Sequence, residues 1–393
     1  MTDHSPLLGG LDPARFLAVH WQKKPLLVRN ALPGFTSPIS PDELAGLACE
    51  GEVESRIVLE HDGPRPWTLE NGPFDEGRFA QLPETHWTLL VQECNKYLPE
   101  LAALLDRFDF IPNWRVDDIM VSYAPPHGSV GPHMDQYDVF LIQGLGRRRW
   151  QISTEPVADD NVIPGLDLRI MRDFQPNHEW ILEPGDMLYL PPAVAHYGVA
   201  LDDCMTFSVG FRTPTVAELL TAYLDEVASQ LSEHQRYHDP DLQPQAHPGE
   251  ISAEARARVR GILRGALADD DAIDQWFGRY ITESKSGLMA PAPERPLTAD
   301  EFRAQLRDAG ELRRSEYARF SFIDGGGEGV TLFVDGQAWP LPATLAGPVA
   351  QLCDRRTIAS RQLAAALHEP QFVNLLTELY NCGYIEPARE NHP

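Results

Sequence analysis

Two histidines and one aspartate in this chain have the residue types and the spacing of a metal-binding triad. His133 and Asp135 are separated by one residue, and His196 follows some sixty residues later. On a strand, residues i and i+2 share a face, so His133 and Asp135 are expected to bind one metal ion side by side while His196 supplies a third ligand from a distant strand. Two imidazoles and one carboxylate form the ligand set of non-haem Fe(II) oxygenases, which leaves coordination positions open for a co-substrate and oxygen.

The sequence around each half of the triad predicts β-structure. Residues 139–142 form a β-rich run, and the glycines that follow separate this run from residues 147–153, so we predict a ligand-bearing hairpin. Before the second histidine, the pattern Gly185-x5-Pro191-x4-His196 places a tight turn, a short apolar strand and a proline bend. This pattern is similar to the second motif of the cupin double-stranded β-helix.

Composition limits the classes of protein to consider. With 393 residues the chain is long enough for two or three domains. Its formal net charge of -25 disfavours binding to phosphate backbones and favours a basic protein partner. A need for solubility alone would also explain this charge. The N-terminus lacks the features of a signal peptide, and no uninterrupted apolar stretch is long enough to span a membrane. Five scattered cysteines without a Cys-x-x-Cys pair argue against a disulfide framework or a structural zinc. We therefore expect a soluble, cytoplasmic protein.

Three regions differ in the character of their predicted elements. Residues 1–213 alternate short β-rich runs with turns, which predicts an all-β barrel or sandwich with added helices. Residues 214–290 show helical spacing of apolar residues and bury little alone, so we expect this region to pack on another copy or another domain. Residues 291–393 follow a Pro-rich linker. The predicted strands of the first region are 25–29, 55–60, 87–91, 118–123, 137–143, 149–152, 186–190 and 205–211, and the predicted helices up to residue 280 are 13–22, 41–48, 95–108, 216–234, 252–268 and 271–280.

The third region ends in a pattern that resembles a winged-helix unit. Its predicted helices are 298–309, 345–354, 360–366 and 371–382, and its predicted strands are 317–323 and 330–334 with a closing segment at 384–386. Winged helices usually bind DNA, but residues 297–393 carry 13 Asp plus Glu against 9 Arg, a net charge of -4. We therefore expect no direct DNA binding, and a protein-docking or structural role instead.

Strand alternation nominates further residues for the same site. Asp118, Met120 and Ser122 share one face of their strand, and Tyr137 shares the face of the metal ligands if the strand continues without a bulge. The face that carries Ser208 is small and partly polar, which leaves room for a ligand inside a barrel. An oxygenase that uses 2-oxoglutarate also needs a cation for the remote carboxylate of that molecule. In the run of arginines 147–149, Arg148 shares the face of Trp150 and Ile152, so we predict that it enters the barrel and that Ser122 assists it, the alternative being a solvated basic turn.

Six segments of the chain carry a family resemblance: FLxxHWQKKPL at residues 16–26, DDxM at 117–120, VGPHxDQYDVF at 130–140, QGxGRRRW at 143–150, EPGD at 183–186 continuing to His196, and SVGFR at 208–212. In these segments the chain resembles the bacterial JmjC-type ribosomal oxygenases, specifically the arginine hydroxylases that act on a large-subunit ribosomal protein. The resemblance spans nearly the whole chain, with no departure at the three predicted metal ligands. It implies a mostly β plus α architecture, with a JmjC/cupin catalytic domain at 1–213, a helical dimerisation region at 214–290 and a winged-helix-like domain at 291–393.

The resemblance also implies a reaction and its participants. It implies that Fe(II), held by the triad, acts with 2-oxoglutarate and O2 as co-substrates to hydroxylate the β-carbon of an arginine in a basic ribosomal protein. It further implies a homodimer formed through the helical region. In this reading Asp118 pairs with the substrate guanidinium, Met120 packs on its aliphatic stem, and Tyr137 and Ser208 shape the pocket.

Three other functions stay open at this stage. The same chemistry on a histidine of another ribosomal protein is the nearest, although an acid such as Asp118 favours arginine. A lysine demethylase is disfavoured because nothing in the sequence resembles a chromatin-reading module. A non-catalytic cupin or winged-helix scaffold is disfavoured by the intact triad, by Arg148 and by the acidic third region.

Overall fold

The structure is a computed structural model that describes residues 4, 6–62, 66–158, 160–285 and 290–389. The described chain forms two compact units. The first comprises the residues up to Thr213 together with the short segments Arg313–Tyr317 and Asp354–Ile358, and the second comprises the remainder. No helix of the described residues is both long enough and apolar enough to cross a membrane.

The part of the first unit up to Thr213 contains twelve strands and four α-helices among its described residues. Its helices are α1 (Pro13–Val19), α2 (Pro41–Leu47), α3 (Glu76–Phe79) and α4 (Pro99–Leu105). Its strands are β1 (Leu26–Val28), β2 (Ser55–Glu60), β3 (Trp67–Asn71), β4 (Trp87–Val91), β5 (Val116–Ala124), β6 (His133–Met134), β7 (Asp138–Leu145), β8 (Arg148–Ser153), β9 (His178–Leu182), β10 (Met187–Leu190), β11 (Ala195–Ala200) and β12 (Cys204–Phe211).

These strands form two antiparallel sheets whose inner faces enclose a barrel. The larger sheet has the order β1-β10-β7-β12-β5-β4-β2-β3, and the smaller has the order β6-β11-β8-β9. Side chains from both sheets meet in one apolar cluster, in which Leu141 and Leu188 of the larger sheet pack with Trp150 and Leu182 of the smaller. The barrel predicted from the spacing of short strands is therefore present.

The outer face of the larger sheet is buried as well. Phe140, Phe207 and Val121 of this face join a cluster that includes Phe16 of α1 and Leu101 of α4. Because helices cover one face and the smaller sheet faces the other, every residue of β12 is buried. The site inside the barrel is thus built on strands that are packed from both sides.

Several local predictions differ from the structure. The predicted ligand-bearing hairpin is wrong, because β7 belongs to the larger sheet while β6 and β8 belong to the smaller. The predicted strand through the metal ligands is only two residues long, since β6 ends at Met134. The predicted helix 95–108 is an α-helix, α4, flanked by 3-10 turns, and the predicted helix 360–366 consists of 3-10 turns. Strands β3 and β9 were not predicted.

The described residues after Thr213 form six α-helices and six strands. In chain order they are α5 (Val216–Gln230), α6 (Ala253–Gly265), α7 (Asp270–Thr282), α8 (Ala299–Ala309), β13 (Gly310–Arg314), β14 (Phe320–Asp324), β15 (Val330–Val334), β16 (Gln337–Leu341), α9 (Ala346–Asp354), β17 (Thr357–Ala359), α10 (Pro370–Asn381) and β18 (Ile385–Arg389).

Local signals explain where these helices begin. Thr215 before α5 and Thr298 before α8 each form a capping box with the glutamate three residues later. Helix α7 packs against the sheet β14-β15-β16, where a side chain at Gly278 would clash with the ring of Phe333. Glycine is therefore required for the close approach of helix and sheet.

Candidate metal and co-substrate site

The predicted metal triad is assembled in space. His133 on β6 and His196 on β11 are directly opposite each other in the antiparallel pair, and their ring centroids are 4.2 Å apart. Asp135, just after β6, places its Oδ2 at 3.9 Å from His133 Nε2 and 3.7 Å from His196 Nε2. One ligand atom from each of the three residues lies within 4.8 Å of the other two, which fits a single metal ion.

Backbone carbonyls orient both imidazoles toward this point. The Nδ1 atoms of His133 and His196 each lie 2.9 Å from a carbonyl oxygen, that of Gly131 and of Val194 respectively. When Nδ1 carries the proton and donates it to the carbonyl, the Nε2 lone pair faces the centre of the triad, as a metal ligand requires. Burial and, after it, the neighbouring His133 together lower the pKa of His196 to about 4, which favours the neutral imidazole.

Arg148 extends from β8 into the barrel, as the alternation of its strand predicted. Its side chain is 4% exposed, and its Nη1 donates to Ser122 Oγ at 3.3 Å and to Thr206 Oγ1 at 3.2 Å. Its Nε is buried without a hydrogen-bond partner, and no carboxylate in the described part of the chain lies within ion-pair distance of the guanidinium. A buried, unpaired cation of this kind fits the carboxylate of a ligand such as 2-oxoglutarate.

Thr206 is a functional candidate that sequence reasoning recognised only as part of a polar face. It stands opposite Ser122 on β5 and opposite Gln143 on β7, and its hydroxyl donates to Gln143 Oε1 at 3.3 Å. Ser122 and Thr206 of this polar row accept the hydrogen bonds that hold the guanidinium of Arg148. The period of two in β12 placed Thr206 on the inner face, but only the strand register shows that it meets Ser122.

The four residues predicted to form a substrate pocket lie on β5, on β12 and in the segment between β6 and β7. Met120 of β5 is directly opposite Ser208 of β12, two residues along each strand from the pair of Ser122 and Thr206. Ser208 is 8% exposed. Tyr137 follows the triad loop with 42% of its surface exposed, and its hydroxyl donates to the Asp135 carboxylate. Burial of the hydroxyl, the Asp135 charge and this hydrogen bond all raise the pKa of Tyr137.

Asp118 lies on β5 and is held by a neighbouring turn. Its Oδ2 accepts a hydrogen bond of 2.9 Å from the backbone N–H of Glu93, and its charge raises the pKa of Tyr137. The structure adds two residues that the sequence did not nominate, Gln92 and Arg56. In the orientation assigned from the hydrogen-bond network, the Gln92 amide donates to Asp118 Oδ2 at 3.1 Å and accepts from Arg56.

The aspartate at the end of the DQYD motif is structural. Asp138 is fully buried and accepts hydrogen bonds from Tyr189 Oη at 2.6 Å, Gln22 Nε2 at 3.0 Å and Arg115 Nη2 at 3.4 Å. Because β7 begins at Asp138, these bonds fix the end of the loop that carries Asp135. The motif near the N-terminus that contains Gln22 therefore braces the triad loop from outside the barrel.

Comparisons with known proteins agree with this architecture. Residues 103–219 match the family model of the JmjC domain, and residues 265–386 match that of the ROXA-like winged helix. The ribosomal protein uL16 3-hydroxylase of Escherichia coli K12 is 38% identical over 369 residues, which cover 94% of this chain and 96% of that protein. A probable ribosomal oxygenase of Haemophilus influenzae is 37% identical over 315 residues, 76% of each chain.

Solved structures give the same result. The X-ray structure of E. coli ycfD has a TM-score of 0.87 at 37% identity and covers 96% of this chain and 98% of that one. The complex of E. coli YcfD with cobalt and 2-oxoglutarate has a TM-score of 0.84 at 36% identity, with the same coverage. The expected JmjC barrel and C-terminal winged helix are confirmed, and so are the metal and 2-oxoglutarate as the cofactor and co-substrate of this kind of protein. The chain belongs to the JmjC-domain ribosomal oxygenases, a family of 2-oxoglutarate-dependent dioxygenases.

Proposed function

We propose that this protein hydroxylates the β-carbon of an arginine in the ribosomal protein uL16. The observation that carries the proposal is the unpaired, buried guanidinium of Arg148 in the same barrel as the triad of His133, Asp135 and His196. The name of the E. coli relative, a uL16 3-hydroxylase, supports the substrate and the position of the new hydroxyl. When bound, Fe(II) together with 2-oxoglutarate and O2 supplies the oxidising chemistry that inserts oxygen into a C–H bond.

The triad residues would hold the metal through His133 Nε2, His196 Nε2 and an oxygen of Asp135. The carbonyl contacts at Nδ1 keep both imidazoles in the ligating tautomer, and Tyr137 donates a hydrogen bond to Asp135 that orients its carboxylate.

Arg148 would bind the remote carboxylate of 2-oxoglutarate. A guanidinium presents two parallel donors to a carboxylate, and Ser122 and Thr206 hold one of its nitrogens in place. The surrounding apolar cluster, which includes Trp150 and Ile152, excludes water and strengthens that ion pair. Both predicted co-substrate residues, Arg148 and Ser122, keep their roles in this proposal.

The pocket beside the triad would hold the substrate arginine by charge and shape. Asp118 supplies a carboxylate for the guanidinium, Met120 an apolar surface for the methylene stem, and Ser208 a small hydroxyl beside it. Because abstraction from a C–H bond needs no protein acid or base, the role of these residues is to place one carbon next to the metal. The acidic net charge of the chain, -25, favours encounter with a basic ribosomal protein.

We further propose that the protein is a cytoplasmic homodimer. Helix α6 has no buried residue, and Val259, Ile262 and Leu263 on it are 47%, 58% and 59% exposed. On α5, Leu220 and Leu224 are 48% and 42% exposed. Such a set of apolar side chains favours burial against a second copy. The double variant Ile262→Glu/Leu263→Glu is expected to elute as a monomer in multi-angle light scattering, and an unchanged dimer mass would contradict this interface.

Mass spectrometry of uL16 tests the reaction. Purified enzyme would be incubated with uL16, Fe(II), 2-oxoglutarate and O2, with His133→Ala as the inactive control. We expect a gain of one oxygen atom on one arginine, absent in the control, and an amino-acid analysis that identifies 3-hydroxyarginine.

Each other outcome selects a different function. Oxygen on a histidine of another ribosomal protein would replace the arginine proposal by the related histidine hydroxylation. Turnover of 2-oxoglutarate without a modified ribosomal protein would retain the oxygenase and reject the substrate. Absence of turnover in the metal-loaded enzyme would favour a binding scaffold.

A further inference from the structure

The acid proposed to bind the substrate guanidinium has a cation of the protein close by. Gln92, just after β4, lies between Asp118 of β5 and Arg56 of β2. Its amide nitrogen donates to Asp118 Oδ2 at 3.1 Å, and its amide oxygen accepts from Arg56 Nη2.

The turn that carries Gln92 is rigidly held. Glu93 has a left-handed backbone with φ of 51°, which is unusual for a residue with a side chain, and its N–H donates to Asp118 Oδ2 at 2.9 Å. Its carboxylate pairs with Lys96 Nζ at 2.7 Å, and both side chains are largely buried, at 13% and 7% exposed. Two donors from this turn, the amide of Gln92 and the N–H of Glu93, therefore converge on one oxygen of Asp118.

Arg56 has few partners of its own. Its Nε is buried without a hydrogen-bond partner, and no carboxylate in the described residue ranges lies within ion-pair distance of its guanidinium. A poorly satisfied guanidinium is strongly attracted to a nearby carboxylate. If Arg56 paired directly with Asp118, the pair would carry no net charge, and a substrate arginine would find a neutralised acid.

We infer that Gln92 is a positioning residue that separates Arg56 from Asp118, so that Asp118 keeps its negative charge for the substrate guanidinium. The inference rests on the proposed arginine hydroxylation and deepens it. A glutamine suits this position because its amide satisfies an acceptor and a donor at once without carrying a charge. A simple packing role for Gln92 would not depend on the charge of Arg56.

Steady-state kinetics on a uL16 peptide that contains the target arginine test the inference. Gln92→Ala is expected to raise the KM for the peptide about tenfold, equivalent to loss of about 1.4 kcal/mol from a charge-assisted contact. The kcat and the KM for 2-oxoglutarate should change little. The double variant Gln92→Ala/Arg56→Met should return the peptide KM to within about threefold of wild type, because the competing cation is gone.

Two further variants serve as controls. Gln151→Ala removes a glutamine that donates to Glu179 on the outside of the barrel, at 2.7 Å, and should leave the peptide KM unchanged. Arg56→Met alone should not raise it. A large KM increase in Arg56→Met would mean that Arg56 contacts the substrate, which overturns the inference, as would an unchanged KM in Gln92→Ala or a double variant no better than the single one.

Crystal structures separate this inference from the proposed function. In Gln92→Ala the Arg56 guanidinium should lie within about 4 Å of the Asp118 carboxylate, the usual ion-pair limit, whereas in wild type it should not. This comparison decides the matter even if the wild-type enzyme hydroxylates no arginine, a result that would reject the substrate alone. An Arg56 side chain that stays in place in the variant would overturn the inference.

Discussion

Replacement of Arg148 by methionine tests the co-substrate site most directly. Methionine has a similar length and no charge, so the variant removes the guanidinium and leaves the barrel filled. Arg148 is 4% exposed, and within the described chain its side chain donates hydrogen bonds only to the hydroxyls of Ser122 and Thr206. A carboxylate of 2-oxoglutarate would therefore lose its counter-charge in a site with little access for water.

The magnitude follows from the burial of the pair. Removing one partner of a buried ion pair costs about 3–5 kcal/mol. With the lower figure, to allow for water entering the site, the loss of about 3 kcal/mol corresponds to about a hundredfold increase in the KM for 2-oxoglutarate. Arg148→Lys keeps the charge but loses the fork of donors, and about a tenfold increase is expected.

Arg148→Met should weaken the binding of 2-oxoglutarate without lowering the stability of the ligand-free protein. Without a ligand, Arg148 is a buried charge with an unsatisfied Nε, and an apolar replacement of similar volume is often neutral or stabilising in such a position. Scanning calorimetry is therefore expected to give Arg148→Met a Tm equal to or above that of wild type in the absence of 2-oxoglutarate. The increase in Tm that 2-oxoglutarate produces in wild type should be lost.

The neighbouring arginine provides a matched control. Arg147 is about half exposed and pairs with Asp202 at 2.9 Å on the surface, so Arg147→Met should leave the KM for 2-oxoglutarate unchanged. Consumption of 2-oxoglutarate, measured by the release of carbon dioxide, provides the assay. If Arg148→Met had the KM of wild type, the assignment of the carboxylate to this guanidinium would be refuted.

Further predictions concern packing and pH. Gly198→Ala should lower the free energy of unfolding by about 1–3 kcal/mol in urea, since its Cβ would lie 2.7 Å from the ring of Trp150. Gly46→Ala, within a helix and with open space around it, should instead raise the free energy of unfolding by about 0.5–1 kcal/mol, and equal effects of the two changes would contradict the packing argument. Hydrogen bonds, first from the backbone of Thr298, lower the pKa of Glu301 to about 2, so its stabilising effect is present above pH 4.5, the ordinary pKa, and is lost as the pH falls toward 2. The Tm difference between wild type and Glu301→Gln should therefore shrink below pH 4.5, and a difference that stays constant from pH 7 to pH 3 would count against the capping role.

Which side chains share a face of a single strand could be predicted from the sequence, because this alternation depends only on neighbouring residues. It placed Arg148 on the inner face, and it put Met120 and Ser122 on the same face of β5, where the structure has them. The triad was recognisable because its residue types are unusual in combination. Most of the predicted strands have the expected position for the same reason, since short apolar runs between turn residues are a strong local signal.

Strand pairing could not be read in the same way, because it depends on residues far apart in the chain. The strand of His133 pairs with the strand of His196, and no local pattern in the intervening sequence indicates this pairing. The predicted hairpin instead assumed that the strand of His133 pairs with a strand nearby in the sequence. Gln92 lies in the turn after β4 and Arg56 lies on β2, and neither belongs to a motif, so nothing in the sequence linked them to Asp118. Strand β16 was missed because Pro340 disfavours a strand, but β16 lies at the edge of its sheet, where proline is tolerated.

The register of β12 shows how the geometry of the site depends on the core. On its outer face, Phe207 and Val209 fill the cluster under the helices, while the residues between and beside them face the barrel. A slip of one residue would move these large side chains into the barrel and the small polar ones into the core, so the hydrophobic pattern strongly disfavours it. The same register sets Thr206 opposite Ser122, and Ser208 opposite Met120. The positions of the co-substrate pair, Ser122 and Thr206, and of the substrate pair, Met120 and Ser208, are therefore fixed by apolar residues that touch neither ligand. A change at Phe207 should alter both pairs together.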